Sequence, residues 1–171
     1  DDSGVCGGDA GCAVGGGVKR IVSFSGGKDS TATLLYAIEA EAKVEVVFAD
    51  TGHEHPLTYD YVQRINDTVH PIRTIRADFT SRMATRRANV PKFWKDQPQE
   101  RIDRALELIQ PTGSPFLDLC ILKARFPSTA ARFCTEELKV MPITDQVILP
   151  ALRSSLVESW QGVRRDESRA R

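Results

Sequence analysis

The chain has 171 residues with 23 Lys+Arg and 23 Asp+Glu, so its formal net charge is zero, which excludes a global electrostatic pull toward nucleic acid or an anionic membrane. Hydrophobic residues make up 41% and charged residues 27%, as expected for one soluble domain long enough to bury a real core. No apolar run is long enough to span a bilayer and no charged-then-apolar leader is present, so a cytoplasmic protein without a membrane partner is expected.

Residues 1–17, DDSGVCGGDAGCAVGGG, are glycine-rich with almost no large apolar side chain. They read as a flexible tail, and residues 18–171 read as a single domain. Cys6 and Cys12 lie in the tail, Cys120 and Cys134 in the domain. Their spacing contains no CxxC pair and matches no common zinc pattern, so free thiols in a reducing compartment are expected. The chain begins without Met and stops within an arginine-rich run, so further residues are expected at its ends.

Val18–Val22 reads as a short strand, and Thr31 to Ala42 carries Leu34, Leu35 and Ile38 at helical spacing. Between them lies Ser23-Phe24-Ser25-Gly26-Gly27-Lys28-Asp29-Ser30. Gly26 and Gly27 are expected to take positive φ and to let a ligand approach the backbone. The first amides of the following helix lack internal partners and sit at the positive end of its dipole. That combination makes a cradle for phosphate or sulfate, with Lys28 and the hydroxyls of Ser23, Ser25 and Ser30 as further donors.

Lys43–Asp50 is a β-branched run suited to a buried parallel strand. Strand, helix, strand implies a right-handed crossover, and ligands of such sheets bind beyond the carboxyl ends of the strands. The glycine turn and Asp50-Thr51-Gly52-His53-Glu54 therefore converge on one crevice, where Asp50 either contacts the ligand or merely terminates the strand. Pro56 opens a helix with Tyr59, Val62, Ile65 and Val69 on one face, and Ile72–Arg76 follows as a third strand. The charged stretch from Asp78 to Gln110 has two readings. One is a positive arm for a polyanion with Trp94 as a stacking surface. The other, favoured by the interleaved acids, is solvated helices packed by Phe93, Ile102, Leu106 and Ile109.

Pro111–Pro115 breaks the chain, and Phe116–Leu122 resumes a helix ending near Pro127. Ile143 to Leu152 is a further helix that Pro150 is expected to kink or end early. Leu156–Trp160 reads as the last strand, followed by Gly162-Val163-Arg164-Arg165-Asp166-Glu167-Ser168-Arg169-Ala170-Arg171. Guanidinium groups there bind phosphate or sulfate oxygens through paired donors.

Ser25-Gly26-Gly27-Lys28-Asp29-Ser30 resembles the PP-loop of the nucleotide alpha hydrolase-like superfamily and lacks the four-residue spacing between glycines of the common P-loop. Asp50-Thr51-Gly52-His53 with Pro56, Thr58 and Tyr59 resembles the second motif of the phosphoadenylyl-sulfate (PAPS) reductases, with Leu57 where that family often has Glu. Cys134, Lys139 and Pro142, then Gly162, Arg164, Arg165, Ser168 and Arg171, resemble its later motifs in family order.

The resemblance covers residues 19–171 and implies an α/β three-layer sandwich with a mostly parallel, Rossmann-like sheet and helices on both faces. It implies a nucleotide and phosphate site from Ser23, Ser25, Gly26, Gly27, Lys28, Asp29, Ser30, Asp50, Thr51, Gly52, Arg164, Arg165 and Arg171. Lys139 and Cys134 are implied as the catalytic residues, Lys139 as the cation that meets the phosphate or sulfate and Cys134 as a match to the middle of the family pattern rather than to its tail. The family's nucleophilic cysteine lies in a tail beyond the arginine motif. An iron–sulfur cluster is not expected, because Thr135 follows Cys134 where the cluster-bearing branch has a tandem Cys pair.

Three functions follow. The first is a PAPS reductase-type oxidoreductase or transferase of sulfur metabolism that uses PAPS or adenylyl sulfate (APS), with a thiol electron donor such as thioredoxin. The second is an ATP pyrophosphatase-type PP-loop enzyme that adenylates tRNA or DNA for thiolation, with Asp29 or Asp50 holding Mg²⁺. The third is a non-catalytic nucleotide-binding module. A homo-oligomer is compatible with all three. Each requires the glycine turn and the arginine run to lie on one side of the molecule.

Overall fold

The computed structural model describes residues 17–163. Four strands, β1 (Val18–Phe24), β2 (Val44–Asp50), β3 (Ile72–Arg76) and β4 (Leu156–Gln161), form one sheet in the order β3-β2-β1-β4. All pairings are parallel: Phe24 faces Phe48 across β1 and β2, Asp50 faces Arg76 across β2 and β3, and Ser23 faces Gln161 across β1 and β4. Helices α1 (Lys28–Glu39) and α2 (Pro56–Thr68) connect β1 to β2 and β2 to β3.

Both faces of the sheet are apolar, as a parallel sheet covered on two sides requires. Val22, Phe24, Val46 and Phe48 pack with Leu34 and Ala37 of α1 and with Val62 and Ile65 of α2. On the other face Ile21, Val47, Ala49 and Ile75 pack with Val147, Ile143 and Ile148. Alternate residues of β1 and β2 thus enter opposite cores, which is the strand period of two. The result is the expected three-layer α/β architecture.

The second helical layer ends in one path from Phe133 to Leu152, in which α-helical turns alternate with π-helical segments Glu136–Val140 and Thr144–Ile148. Each π segment ends two residues before a proline, Pro142 and Pro150. Proline lacks an N–H and its ring crowds the carbonyl one turn back; a wider π turn makes room for it. Of the two outcomes expected at Pro150, an early end of the helix is corrected: the helix runs through the proline to Leu152.

A third cluster, Phe79, Met83, Leu119 and Leu138, joins this path to α3 (Thr80–Phe93) and α5 (Pro115–Lys123). Between them α4 (Gln99–Leu108) packs against α3, and Arg87 donates to the carbonyls of Leu106 and Ile109. Ile102 is buried as expected, whereas Phe93 is 80% exposed. The reading of Phe93 as a packing residue is corrected. It stands at the C-terminal end of α3 beside Pro91, and the hairpin closes on Val90 instead.

Candidate active-site crevice

The strand order reverses between β1 and β4, and at that switch point the carboxyl ends of β1, β2 and β4 open into a crevice of about 270 Å³. Ser23 and Ser25 line it from β1, Phe48 and Ala49 from β2, and Ser159, Gln161 and Gly162 from β4. The opposite wall is the π-rich helix, through Thr135, Lys139, Val140, Ile143, Thr144 and Ile148. Lys139, Val140, Thr144 and Ile148 all belong to its two π segments. The widened turns thus lie where the helix meets the crevice, a common association of π turns with binding sites.

The glycine turn closes on itself through Ser30. Its buried hydroxyl accepts from the Ser25 amide (3.1 Å), lies 3.1 Å from the Ser25 hydroxyl and donates to the Gly27 carbonyl (2.9 Å). Gly26 adopts φ +73°, which any Cβ would strain. Gly27 is the N-cap at φ −85°, ψ 163°, ordinary extended backbone, so the expectation of positive φ holds for Gly26 and is corrected for Gly27. Among the described residues the amides of Gly26, Gly27 and Lys28 have no hydrogen-bond acceptor. They form the open end of a twelve-residue helix, where backbone donors and dipole favour an anion. Gly27 and Lys28 are exposed, and Asp29 is half-buried in the first turn.

Gly162 abuts this same first turn. A Cβ built on it would lie 2.5 Å from the carbonyl carbon and oxygen of Asp29 and 2.9 Å from the Ser30 nitrogen. Only glycine lets the end of β4 rest on the start of α1. This contact was not legible in the sequence, although Gly162 heads the arginine motif. Arg164, Arg165 and Arg171, with Cys6 and Cys12, lie outside the described residues.

The second loop is held by its own side chains. Asp50 Oδ1 accepts from the Gly52 amide (2.8 Å) and the Tyr59 hydroxyl (2.7 Å), and Oδ2 pairs with Arg76 Nε at 3.1 Å. Burial first, then the bond to Asp50, push the Tyr59 hydroxyl pKa upward. Thr51 is buried; its hydroxyl donates to Glu54 Oε1 (3.0 Å) and accepts from the His53 amide (3.3 Å). Ser114 Oγ donates to the Gly52 carbonyl (3.1 Å). Asp50, Thr51 and Gly52 therefore shape the rim, and Asp50 has both carboxylate oxygens engaged by protein groups. Among the described residues no group of three or more His, Cys, Asp or Glu side chains is arranged to hold a metal. With both Asp50 oxygens engaged by Gly52, Tyr59 and Arg76, the pair Asp29 and Asp50 does not fit a magnesium site.

Lys139 reaches across the crevice toward this rim, its Nζ 3.4 Å from Glu54 Oε1. Glu54 was not singled out by sequence reasoning, yet it links Thr51 to the lysine. Cys134 packs instead with the cluster of Phe79, Met83, Leu119 and Leu138, beside buried Cys120. Burial, with a smaller contribution from Cys134, raises the pKa of the Cys120 thiol. Among the described residues no thiol lines the crevice.

Beyond the rim the rings continue. His53 stacks on Phe116 at 4.6 Å and 5°, and Phe116 meets Phe126 at 6.4 Å. Phe133 carries the cations of Lys123 and Arg125 at 5.7 and 5.6 Å. No helix among the described residues is long and apolar enough to cross a membrane.

The family model described as phosphoadenosine phosphosulfate reductase domain matches residues 19–171. Among curated proteins, the chain is similar to the uncharacterized 37.8 kDa protein in the gpa 5′ region of Escherichia phage 186. They are 46% identical over 164 residues, covering 89% of this chain and 49% of that protein. It is also similar to the uncharacterized nin region protein ORF290 of Escherichia phage lambda, 31% identical over 153 residues, covering 86% of this chain and 49% of the relative. The chain thus spans about half the length of these curated relatives.

Proposed function

The chain belongs to the phosphoadenosine phosphosulfate reductase domain family, and on that premise we propose that its crevice binds an adenosine phosphosulfate for reduction or transfer of the sulfur. One observation carries the reading. Lys139 faces the switch-point crevice that Ser23, Ser25 and Ser30 line from the glycine turn, and the amides of Gly26, Gly27 and Lys28, without an acceptor among the described residues, lie in that same turn at the start of α1. The adenosine lies along the apolar floor of Phe48 and Ala49, and the anionic end meets the amides, Lys28 and Lys139. By the family resemblance Arg164, Arg165 and Arg171, which lie outside the described residues, would supply further guanidinium donors.

In the chemistry this site serves, a thiolate attacks the sulfate sulfur. The S–O bond to the nucleotide breaks, adenosine phosphate leaves with the bonding pair, and the thiol carries the sulfonate. A dithiol donor of the thioredoxin kind then releases sulfite and becomes a disulfide. The described residues contribute binding and charge stabilisation, and the attacking thiol comes from outside the crevice lining. A cytoplasmic location suits both this donor and the free thiols Cys120 and Cys134.

A second reading is favoured by the row of rings leaving the Gly52–His53 loop. ATP would occupy the same crevice, a nucleic-acid group would attack its α-phosphate, and pyrophosphate would leave, activating the target for thiolation. Calorimetric titration with PAPS, APS and ATP separates the two. Tightest binding of a sulfonucleotide, with sulfite formed when a dithiol is added, is the expected result. Pyrophosphate release from ATP with no affinity for either sulfonucleotide would overturn the first reading.

A further inference from the structure

We infer that the surface formed by His53, Phe116, Phe126 and Phe133 is a docking track for single-stranded nucleic acid that leads into the crevice. The inference deepens the second reading above and rests on it for the purpose of the docking. Three independent features converge there.

The first is the rings. His53 belongs to the loop that forms the crevice rim, and its ring lies parallel on Phe116. The Phe116 amide donates to the Thr51 carbonyl (3.0 Å), so the stack is anchored on the rim itself. Phe126 extends the row outward and is 70% exposed. Phe116 and Phe133 pack on one apolar cluster, which holds both rings on a common base. Every nucleobase has a π-face, so such a row binds a strand with little regard to sequence.

Charge is the second. From Lys123 to Cys134 the chain contains Lys123, Arg125 and Arg132 and no acidic residue. In a molecule of zero net charge with acids interleaved elsewhere, this is a local basic stretch. Lys123 is paired with Glu137 at 2.6 Å, but among the described residues neither Arg125 nor Arg132 forms an ion pair. Their guanidinium groups, both on exposed residues, suit the spaced phosphates of a strand whose bases lie on the rings.

The third is position. Arg125 and Phe126 sit in the segment that follows the left-handed C-cap of α5 at Ala124 (φ 52°). That cap turns the segment back over Phe133 and Phe116. The π segment containing Lys139 begins three residues after Phe133. A strand lying on the rings therefore ends at the mouth that Lys139 and Glu54 define.

The test uses the whole 171-residue chain and fluorescently labelled oligothymidylate and oligouridylate, with anisotropy read at several salt concentrations. Micromolar or tighter binding of either oligomer is expected, and the tighter of the two identifies the sugar. Phe126→Ala should weaken it roughly five- to hundredfold, the loss of one stacked base. The double variant Arg125→Ala/Arg132→Ala should reduce the slope of log K against log salt by roughly 1.4. Adenine-nucleotide binding, measured on the same variants, should be unchanged.

Failure of both oligomers to bind at low salt would overturn the inference. So would equal competition by duplex DNA or polyglutamate, or an unaltered affinity in Phe126→Ala. The crevice is judged apart from these outcomes: Lys139→Ala should weaken mononucleotide binding roughly tenfold to a hundredfold and leave the oligomer affinity unchanged. Loss of neither would count against the nucleotide site and leave the track standing.

Discussion

The sharpest expectation concerns Gly162. Its Cα rests on the first turn of α1 so closely that an added Cβ would meet the Asp29 carbonyl at 2.5 Å and the Ser30 nitrogen at 2.9 Å. These are backbone atoms and cannot rotate aside. To reach an ordinary contact of 3.4 Å, β4 must withdraw from α1 by roughly 0.9 Å. In Gly162→Ala this crowding should cost about 1–3 kcal/mol. For a chain of this size that corresponds to a Tm lower by roughly 2–12 °C. Binding should suffer more than stability, because the same shift moves the amides proposed to bind the anion relative to the β4 wall. A displacement near 1 Å is enough to lose on the order of a hundredfold in a positioned site. Scanning calorimetry reads the first effect and nucleotide titration the second. Gly17→Ala is the control, since a Cβ there meets nothing within 4 Å. Wild-type Tm together with wild-type affinity in Gly162→Ala would refute the account of how β4 and α1 build the crevice.

Lys139→Ala and Lys28→Ala should each weaken binding of the preferred nucleotide by roughly tenfold to a hundredfold, the loss of a charge-assisted contact; titration calorimetry on the two variants checks this. Glu137 is held by Lys123 and Arg82. Burial opposes its ionisation, but the two hydrogen-bonded cations outweigh it and hold the pKa below 4.5. Its contribution is therefore complete above pH 4.5 and lost as pH falls through the lower folded value. Tm measured against pH should fall less steeply on the acid side in Glu137→Gln than in the parent. Iodoacetamide labelling followed by peptide mapping should modify Cys134 well before Cys120, whose thiol is buried and raised in pKa; equal rates would contradict the placement of Cys120 in the core.

Local chemistry made much of this legible in advance. The β-branched runs, the glycine turn and the proline-led α2 declare themselves through composition, period and punctuation, and the four strands fall where expected. What stayed hidden depends on neighbours distant in the chain. Nothing near Glu54 announces that Lys139 lies across from it. Nothing near Gly162 announces that its missing side chain is required by Asp29. Pro150 looked like a helix breaker because propensity is counted residue by residue, whereas the π turn before it spreads the adjustment over five residues. Phe93 looked like a core residue because hydrophobicity does not say which side of a hairpin a ring will occupy.

The strand order carries a consequence for biosynthesis. β1 occupies an interior position, yet one of its two neighbours is the last of the described strands: Val18 pairs with Leu156 and Ser23 with Gln161. While the polypeptide emerges from the ribosome, β1 can zip to β2 early, but its opposite edge stays bare until β4, more than 100 residues later, is released. A nascent chain in that state shows an unpaired, β-rich border to its surroundings, the kind of surface that chaperones shield and that otherwise seeds aggregation. Maturation of the crevice must wait for the same event, so truncation before β4 removes a wall of the pocket along with the strand.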